Sequence, residues 1–373
     1  MRLPAYEDLS KEQDAVLTLP LDGRYLIGGA PGTGKTVVAL YRASRMAREG
    51  KSLRFLMYSK LLSAYTTATA SGGATAPLTA SISTYHRWLS SLYWSTYRKP
   101  TPTMPDNTWA FDWNNIIAQM AEKPPARTMD HLLIDEGQDL PSELYTVTSI
   151  FLTENITVFA DENQRITSTQ TMMHEIRAAA GIPQHNTFTL TQNFRNTVQI
   201  HNLACWFHRG SPTGLATPPV RRGNRPTFLD SADLSAQVDY IQRYEQLNAN
   251  RSIGVLVRTR SELKKILHML NGRTHNPVHV YLSKEKVMPE FDRDGITILC
   301  HDSAKGLEFD TVFLPGLEYV DAARVEQADV MMKMYVLCTR ARQDLFLMYA
   351  GETCALRDAL PDDLIRKTTL KDD

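Results

Sequence analysis

The segment GAPGTGKT, at residues 29–36, has the spacing G-x-x-x-x-G-K-T of a phosphate-binding loop. Its glycines let backbone N–H groups approach phosphate oxygens closely, and Lys35 can reach the β and γ phosphates of a nucleoside triphosphate. The Thr36 hydroxyl can serve as a ligand of Mg²⁺. The residues predicted to hold the nucleotide here are Gly29, Ala30, Pro31, Gly32, Thr33, Gly34, Lys35 and Thr36.

The segment HLLIDEGQDLP, at residues 131–141, places acids directly after an apolar run. The run at 132–134 predicts a short buried strand. At the end of that strand, Asp135 is suited to the magnesium shell, and Glu136 could act as the base that orients the attacking water. Taken alone, these residues leave a second interpretation open, a solvated loop after a core strand.

The elements around the two segments could hold them side by side. Residues 25–27 predict an apolar strand before the glycine loop, and residues 37–46 predict a helix after it. Roughly a hundred residues separate the loop from Asp135, which suits neighbouring strands of one parallel sheet joined through helices. Strand, loop and helix therefore occur in the order that nucleotide binding requires.

The overall composition is that of a globular protein. The chain has 373 residues, of which 43% are hydrophobic and 22% charged, so we expect two domains with ample apolar surface to bury. Lysine plus arginine and aspartate plus glutamate both number 41, which gives a formal net charge of zero. A nucleic acid would therefore have to bind a local basic surface.

The cysteines and the hydropathy pattern argue against several other classes of protein. The four cysteines are scattered without C-x-x-C spacing and the ten histidines show no ligand pattern, so we predict reduced thiols and no zinc site. The first residues lack the apolar core of a signal peptide, and no run of about 18 apolar residues could span a bilayer. We therefore expect a soluble, cytoplasmic protein without membrane contact.

The pattern D-E-x-Q-D after an apolar strand resembles motif II of the superfamily 1 helicases of the UvrD, Rep and PcrA type. Other segments resemble that family's further motifs, in the same order, from about residue 9 to residue 342. They are LSKEQ (9–13) for the Q motif, DENQ (161–164) for motif III, LTQNFRNT (190–197) for motif IV, GITILCHDSAKGLEFDTVFL (295–314) for motif V and YVLCTRAR (335–342) for motif VI. Ordered matches of this number rarely coincide by chance.

The resemblance implies a set of residues around ATP and Mg²⁺. The implied roles are adenine recognition for Gln13, γ-phosphate contact for Gln164, base stacking for Phe194, phosphate contact for Arg195, ribose contact for Glu308, further nucleotide contact for Gly306 and a phosphate-stabilising cation for Arg340. The predicted catalytic residues are thus Lys35, Glu136, Gln164, Arg195 and Arg340, and the predicted metal ligands are Thr36 and Asp135. Gln138 and Asp139 are implied to couple the ATP site to the strand-binding surface.

The resemblance also implies the fold. We expect an α/β protein with two RecA-like P-loop NTPase domains, each a parallel sheet flanked by helices, and an ATP cleft between them. The first domain is predicted at 1–187 and the second at 188–373. Alternating strand and helix patterns in the second half favour a parallel α/β sheet on their own. The small-residue stretch at 66–81 is predicted to be a loop or a mobile segment.

The sequence departs from the family in the parts that meet nucleic acid. Two large insertions of the UvrD type are reduced here, the first to about residues 89–130 and the second to almost nothing. Thr169 stands where the family has an aromatic residue that stacks on a base, a contact of roughly 1–3 kcal/mol. Cys300 and Asp302 replace a threonine and a histidine of motif V. These changes leave the ATPase residues intact and put strand translocation in doubt.

Several residues are nevertheless candidates for nucleic-acid contact. They are Ser59 and Lys60 in a motif Ia-like segment, Thr84, Tyr85 and His86 in a motif Ib-like segment, and Ser303 in motif V. For the first pair, a solvated turn is an alternative. The neighbouring Trp88 is better explained as part of a buried helix face, because aromatic residues at helical spacing usually pack in a core.

Three functions remain open at this stage. The first is a nucleic-acid-dependent ATPase that translocates on, or opens, single-stranded or forked nucleic acid, with DNA favoured over RNA. The second is a DNA-sensing regulatory NTPase subunit that does not unwind alone and controls a protein partner such as a nuclease in a bacterial defence or repair complex. The reduced insertions favour the second. The third, a scaffold without ATPase activity, would leave the whole catalytic set without a role.

Overall fold

The structure is a computed structural model that describes residues 3–71, 73–164, 171–211, 213–282, 289, 294–351 and 353–370. These residues form two compact units. The N-terminal unit contains residues 3–30 and 34–191, and the C-terminal unit contains residues 31–33 and 192–370. Each unit has its own parallel sheet and its own hydrophobic core.

The N-terminal unit alternates strands with helices. Its described strands are β1 (Arg24–Gly29), β2 (Leu53–Met57), β3 (Ile82–Thr84), β4 (Thr103–Met104), β5 (Asn107–Phe111), β6 (His131–Ile134), β7 (Ile156–Ala160) and β8 (Thr187–Leu190). Its described α-helices are α1 (Lys11–Thr18), α2 (Lys35–Arg48), α3 (Lys60–Ala70), α4 (Tyr85–Tyr97), α5 (Trp113–Glu122), α6 (Ser142–Val147) and α7 (Met173–Ala179).

The main sheet of this unit brings the two chemical segments together. Six parallel strands lie in the order β3-β2-β6-β7-β1-β8, so β7 separates the glycine-loop strand β1 from the acid-bearing strand β6. Strands β6 and β7 are buried along their whole length, as expected when helices cover both faces of a parallel sheet. Because β1, β6 and β7 are parallel, their carboxyl ends meet at one edge of the sheet. Strand β8 belongs to this sheet and begins where the predicted first domain ends.

A short hairpin occupies the segment that corresponds to the reduced insertion. Strands β4 and β5 pair antiparallel, and Asp112 then caps α5 by accepting a hydrogen bond from the Asn115 amide at 3.1 Å. Phe111 and Ile116 are buried in the core of the N-terminal unit. The segment is therefore a folded addition to this unit.

The small-residue stretch at 66–81 is not the loop that we predicted. Helix α3 continues to Ala70, and a 3₁₀ helix follows at Gly73–Ser81. Tyr65, Thr66 and Ala70 are buried, as residues four to five positions apart on one helix face should be. Packing of this face against the unit outweighs the weak local preference of the threonines for a helix.

The C-terminal unit repeats the α/β plan. Its described strands are β9 (Thr227–Ser231), β10 (Ser252–Val257), β11 (His279–Val280), β12 (Gly295–Cys300), β13 (Phe309–Leu314), β14 (Ala341–Ala350) and β15 (Arg366–Thr369). Its described α-helices are α8 (Val198–Phe207), α9 (Leu234–Leu247), α10 (Arg260–Leu270), α11 (Ala322–Val325), α12 (Ala328–Cys338) and α13 (Ala355–Ala359). The parallel strands lie in the order β11-β12-β10-β13-β14-β9-β15.

Two parallel sheets flanked by helices confirm the predicted α/β class and its RecA-like architecture. The described helices include none that is long and apolar enough to cross a membrane. The four cysteine thiols form no disulfide. Within the described residues, no three or more His, Cys, Asp or Glu side chains come together as a group that could hold a metal ion.

Candidate ATP site

The glycine loop takes the backbone shape that its sequence predicts. Gly32 and Gly34 have φ angles of 87° and 84°, in the left-handed region that favours glycine. Gly34 is the N-cap of α2, so the loop ends where the free N–H groups of the helix begin. A Cβ at Gly34 would lie 2.4 Å from the side-chain nitrogen of Gln13. The loop therefore passes directly beside the Q-motif glutamine.

Gln13 is fixed by its own helix and, through that helix, by α2. Its side-chain oxygen accepts a hydrogen bond from the backbone N–H of Ser10 at 3.0 Å, and its backbone N–H donates to the Ser10 hydroxyl at 3.2 Å. These two bonds form a capping box at the start of α1. At the other end of α1, the buried Arg42 of α2 donates to the carbonyls of Leu19 at 3.1 Å and Pro20 at 2.6 Å. The first turn of α1 is thus held next to the glycine loop.

Lys35 lies in a buried cage of oxygen atoms. Its Nζ donates to the carbonyls of Gly29 at 2.6 Å and Ala30 at 3.2 Å, and it forms an ion pair with Asp161 at 3.3 Å. Asp161 is fully buried at the end of β7. Asp161 is a site residue that was not predicted, although an acid directly after a buried strand is the same signal that identified Asp135.

Thr36 and Asp135 supply the oxygen atoms expected of a magnesium site. The Thr36 hydroxyl donates to the Asp135 carboxylate at 2.6 Å. Burial raises the pKa of Asp135, the neighbouring Glu136 raises it further, and the hydrogen bond from Thr36 opposes both. A divalent cation would offset this repulsion. One carboxylate and one hydroxyl fit Mg²⁺, which usually keeps several water or phosphate ligands.

Glu136 is held by an unusual backbone conformation and by one amide side chain. Its φ angle is 52°, the left-handed region that residues with a Cβ rarely adopt. The Gln138 side chain donates to the Glu136 carboxylate at 2.6 Å and accepts the Asp161 amide at 2.9 Å. Gln138 therefore links the acids after β6 to the residue that pairs with Lys35.

Position 137, between Glu136 and Gln138, has room only for glycine. A Cβ at this position would lie 2.4 Å from Val158 Cγ1 and 2.8 Å from the Tyr145 hydroxyl. The same hydroxyl donates to the Gly137 carbonyl at 2.5 Å. The motif D-E-x-Q-D allows any residue at x, but in this chain packing against β7 and α6 restricts that position to glycine.

We expect Gly137→Ala to lower both stability and ATP turnover. Overpacking of this kind costs about 1–3 kcal/mol, and relief of the overlap would move Glu136 and Gln138 out of register. Thermal unfolding and steady-state turnover measure the two effects. An unchanged melting temperature would contradict the close packing described here.

Motifs IV and V meet within the C-terminal unit through an ion pair. Arg195 Nε donates to the Glu308 carboxylate at 2.8 Å, and both side chains are largely buried. Burial alone would raise the pKa of Glu308, but the charges of Arg195 and then Arg342 outweigh it and lower the pKa. Phe194 precedes this arginine and remains 44% exposed, as a residue that stacks on a base requires. Gly306 has a φ of 77°.

Arg340 occupies a different environment from the one expected of a phosphate-stabilising cation. Its side chain is fully buried and donates to the carbonyls of Val336 at 2.9 Å and Leu307 at 3.3 Å, and to the Thr339 hydroxyl at 3.1 Å. These contacts fix the turn between α12 and β14. Its role toward a γ phosphate stays a prediction.

The candidate nucleic-acid residues are distributed between structural and exposed positions. Ser59 and Thr84 are N-caps, which accept the amides of Leu62 at 3.0 Å and Arg87 at 3.3 Å. Tyr85 is buried, whereas Lys60 is exposed and His86 is half-buried. The interpretation of Trp88 as a core residue agrees with its burial in the N-terminal unit.

In motif V, Ser303 ends a 3₁₀ helix and is half-buried. The neighbouring Asp302 forms an ion pair with Lys333 at 2.7 Å. The negative charge of Asp302 is therefore balanced locally. Two further positions, the Gln164 side chain and Thr169, lie outside the described residues.

The chain is similar in sequence to several proteins described as helicases. A family model described as an AAA domain matches residues 12–170. A probable DNA helicase of Mycoplasma pneumoniae is 23% identical over 243 residues, which cover 59% of this chain and 44% of that protein. The RecBCD enzyme subunit RecB of Chlamydia pneumoniae is 39% identical over 66 residues, which cover 18% of this chain and 6% of that protein.

Among solved structures, the C-terminal domain of a possible DNA helicase from Lactobacillus plantarum WCFS1 aligns with 47% of this chain and 98% of that domain, at 20% identity and a TM-score of 0.37. The chain spans less than half the length of the curated helicase from Mycoplasma pneumoniae.

Proposed function

Because the chain belongs to the superfamily 1 helicases of the UvrD and Rep type, we propose that it is a nucleic-acid-dependent ATPase. In this proposal, ATP hydrolysis drives translocation on, or opening of, DNA. The observation that carries the proposal is the arrangement at the carboxyl ends of β1, β6 and β7. There, Lys35 pairs with Asp161, and Thr36 contacts Asp135 at 2.6 Å.

The glycine loop would bind the phosphates of ATP. Its amides and the N-terminus of α2 favour negative charge, and Lys35 would leave Asp161 to neutralise the β and γ phosphates. Thr36 and Asp135 would hold Mg²⁺, which supplies Lewis-acid stabilisation of the charge that develops on the phosphates. Gln13, beside Gly34, would contact the base.

Glu136 would accept a proton from the attacking water. Its carboxylate lies one residue beyond the metal-binding acid, and the Gln138 amide fixes its orientation. Gln164, Arg195 and Arg340 would complete the stabilisation of the transferred phosphoryl group, in keeping with the family resemblance. We further propose that Gln138 and Asp139 pass changes at the phosphates to the strand-binding surface, because Gln138 bonds to residues after both β6 and β7.

Single-stranded or forked DNA is the polymer that we propose, with the family resemblance as support. The domain assignment that goes with this function is a first RecA-like domain at 1–187 and a second at 188–373. A protein partner would fit the short insertions, since larger relatives carry accessory subdomains at those places.

A regulatory NTPase subunit is the second candidate. The observation in its favour is that several residues expected to contact a strand serve the fold instead. Ser59 and Thr84 cap helices, and Tyr85 is buried. Such a subunit would sense DNA, hydrolyse ATP slowly and control a partner such as a nuclease.

The deciding measurement is steady-state ATP turnover with and without single-stranded DNA, duplex DNA and single-stranded RNA. We expect strong stimulation by single-stranded DNA, and we expect it to weaken as salt rises because phosphate contacts release counterions. Strand displacement on a forked duplex is then the next test. Slow turnover that ignores every polymer would exclude the autonomous motor and favour the regulatory subunit.

A further inference from the structure

An exposed aromatic surface lies on the N-terminal unit, beside the segments that follow β2 and β3. We define it by Tyr58, His86 and Trp109. Trp109 is 76% exposed and Tyr58 is 51% exposed, which is unusual for such large rings. Neither residue takes part in the ATP site described above. Exposed aromatic groups held in fixed positions commonly mark a binding surface.

The rings of Tyr58 and His86 pack on buried aromatic side chains. Tyr58 stacks on the buried Tyr85, with ring centroids 6.2 Å apart and an interplanar angle of 19°. Tyr85 also contacts His86 at 3.9 Å, and Phe111 lies 5.0 Å from the His86 ring. Tyr58 and His86 are therefore held against buried aromatic side chains, as a stacking site requires.

The β4–β5 hairpin places Trp109 next to His86. The Trp109 carbonyl lies 3.0 Å from His86 Nε2. Side chains alternate along a strand, so Trp109 projects from the same face of β5 as Phe111, whose ring contacts His86. Trp109 thus extends the aromatic surface outward from His86.

A positive charge accompanies the rings. Burial lowers the pKa of His86, the Trp109 carbonyl opposes this, and the nearby charge of Lys60 lowers the pKa again. Lys60 is exposed, and in the part of the chain that the structure describes it forms no ion pair with a carboxylate. Flat exposed rings beside a free ammonium group match a polymer with bases and phosphates.

We propose that Trp109 and Tyr58 stack on successive bases of single-stranded nucleic acid, with Lys60 on the backbone. This inference rests on the proposed function and assigns part of its strand-binding surface. The hairpin that carries Trp109 would supply the aromatic contact that Thr169 cannot provide. Trp109 would therefore contribute to affinity for every base sequence, because each base has a π face.

Fluorescence anisotropy with labelled oligothymidine, in the presence of a non-hydrolysable ATP analogue, tests the proposal. We expect Trp109→Ala to weaken binding by about tenfold, the loss of one stacked base. Trp109→Phe, which keeps a ring, should bind nearly as the wild type does. Trp94→Ala is the matched control, since Trp94 is also 54% exposed but lies more than two helical turns beyond His86 on α4. It should leave binding unchanged.

Two further measurements separate stacking from indirect effects. An oligonucleotide with abasic sites should bind the wild type and Trp109→Ala equally well, because it offers no base to stack. Trp109→Ala should keep the wild-type salt dependence, whereas Lys60→Ala should lower its slope by about 1. Basal ATP turnover without polymer should be unchanged in the control variant Trp94→Ala.

The outcomes distinguish this inference from the proposed function. If the wild type binds single strands and Trp109→Ala binds them equally well, the stacking role is overturned. The proposed ATPase motor would not be affected by that result. A wild type that binds no single strand under any condition would overturn both. An equal loss of affinity in Trp94→Ala would also contradict the assignment, since it would indicate a general effect of removing a surface tryptophan.

Discussion

Replacement of Glu136 by glutamine is expected to preserve ATP binding and to lower turnover by about 10²–10⁴-fold. Glutamine has nearly the same shape and can still accept the hydrogen bond that Gln138 donates at 2.6 Å. It cannot take a proton from water. Glu136 is buried and directly follows Asp135, so its carboxylate is the base that we assign next to the proposed metal site.

Binding of a fluorescent ATP analogue and steady-state turnover measure the two halves of this prediction. Glu122→Gln, an exposed substitution at the end of α5, provides the control for the loss of one negative charge in the same unit. Turnover near the wild-type rate in Glu136→Gln would remove Glu136 from the role of base. Loss of ATP binding would instead assign it to the metal site.

Lys35→Met is expected to abolish ATP turnover and also to destabilise the N-terminal unit. Phosphate binding would lose its cation, and Asp161 would be left as a buried carboxylate without the ion pair at 3.3 Å. Removal of one partner from a buried pair typically lowers the free energy of unfolding by about 3 kcal/mol. Chemical denaturation and ATP turnover report the two effects independently.

The double variant Lys35→Met with Asp161→Asn separates stability from chemistry. Asparagine carries no charge and can still accept the Asn163 amide, which the Asp161 carboxylate accepts at 2.9 Å. We expect most of the lost stability to return while turnover stays at background. If the double variant were as unstable as Lys35→Met, the ion pair would not be the source of the effect.

The sequence was sufficient to predict the α/β class and to select the residues of a candidate ATP site, because both depend on local patterns. The glycine spacing, the apolar strand before Asp135 and the order of the motifs all have short-range signals, and two parallel sheets confirm the class of fold. The partners of these residues were harder to predict. Asp161 faces Lys35 from a strand that lies 126 positions away, and only the order of strands in the sheet reveals that contact.

Other features depend on packing that a single sequence does not display. The conformation of Glu136 and the tight fit of Gly137 come from β7 and α6, which pack around the turn. The helical state of Thr66 depends on the surface that its helix buries. Trp109 lies in an exposed, polar hairpin that matches no sequence motif. Its contact with His86 depends on the pairing of β4 with β5, which the sequence does not show.

The strand order of the first sheet also determines when the ATP site can form as the chain is synthesised. Strand β1, which leads into the glycine loop, lies between β7 and β8 in the described sheet, and these strands end at Ala160 and Leu190. A nascent chain that has reached α5 contains the whole loop and none of the strands that flank β1. Pairings so distant in sequence form slowly, because a long loop must close before any contact repays its entropy. The loop therefore emerges from the ribosome before either strand that flanks β1, and we expect it to take its nucleotide-binding shape only after β7 has been synthesised.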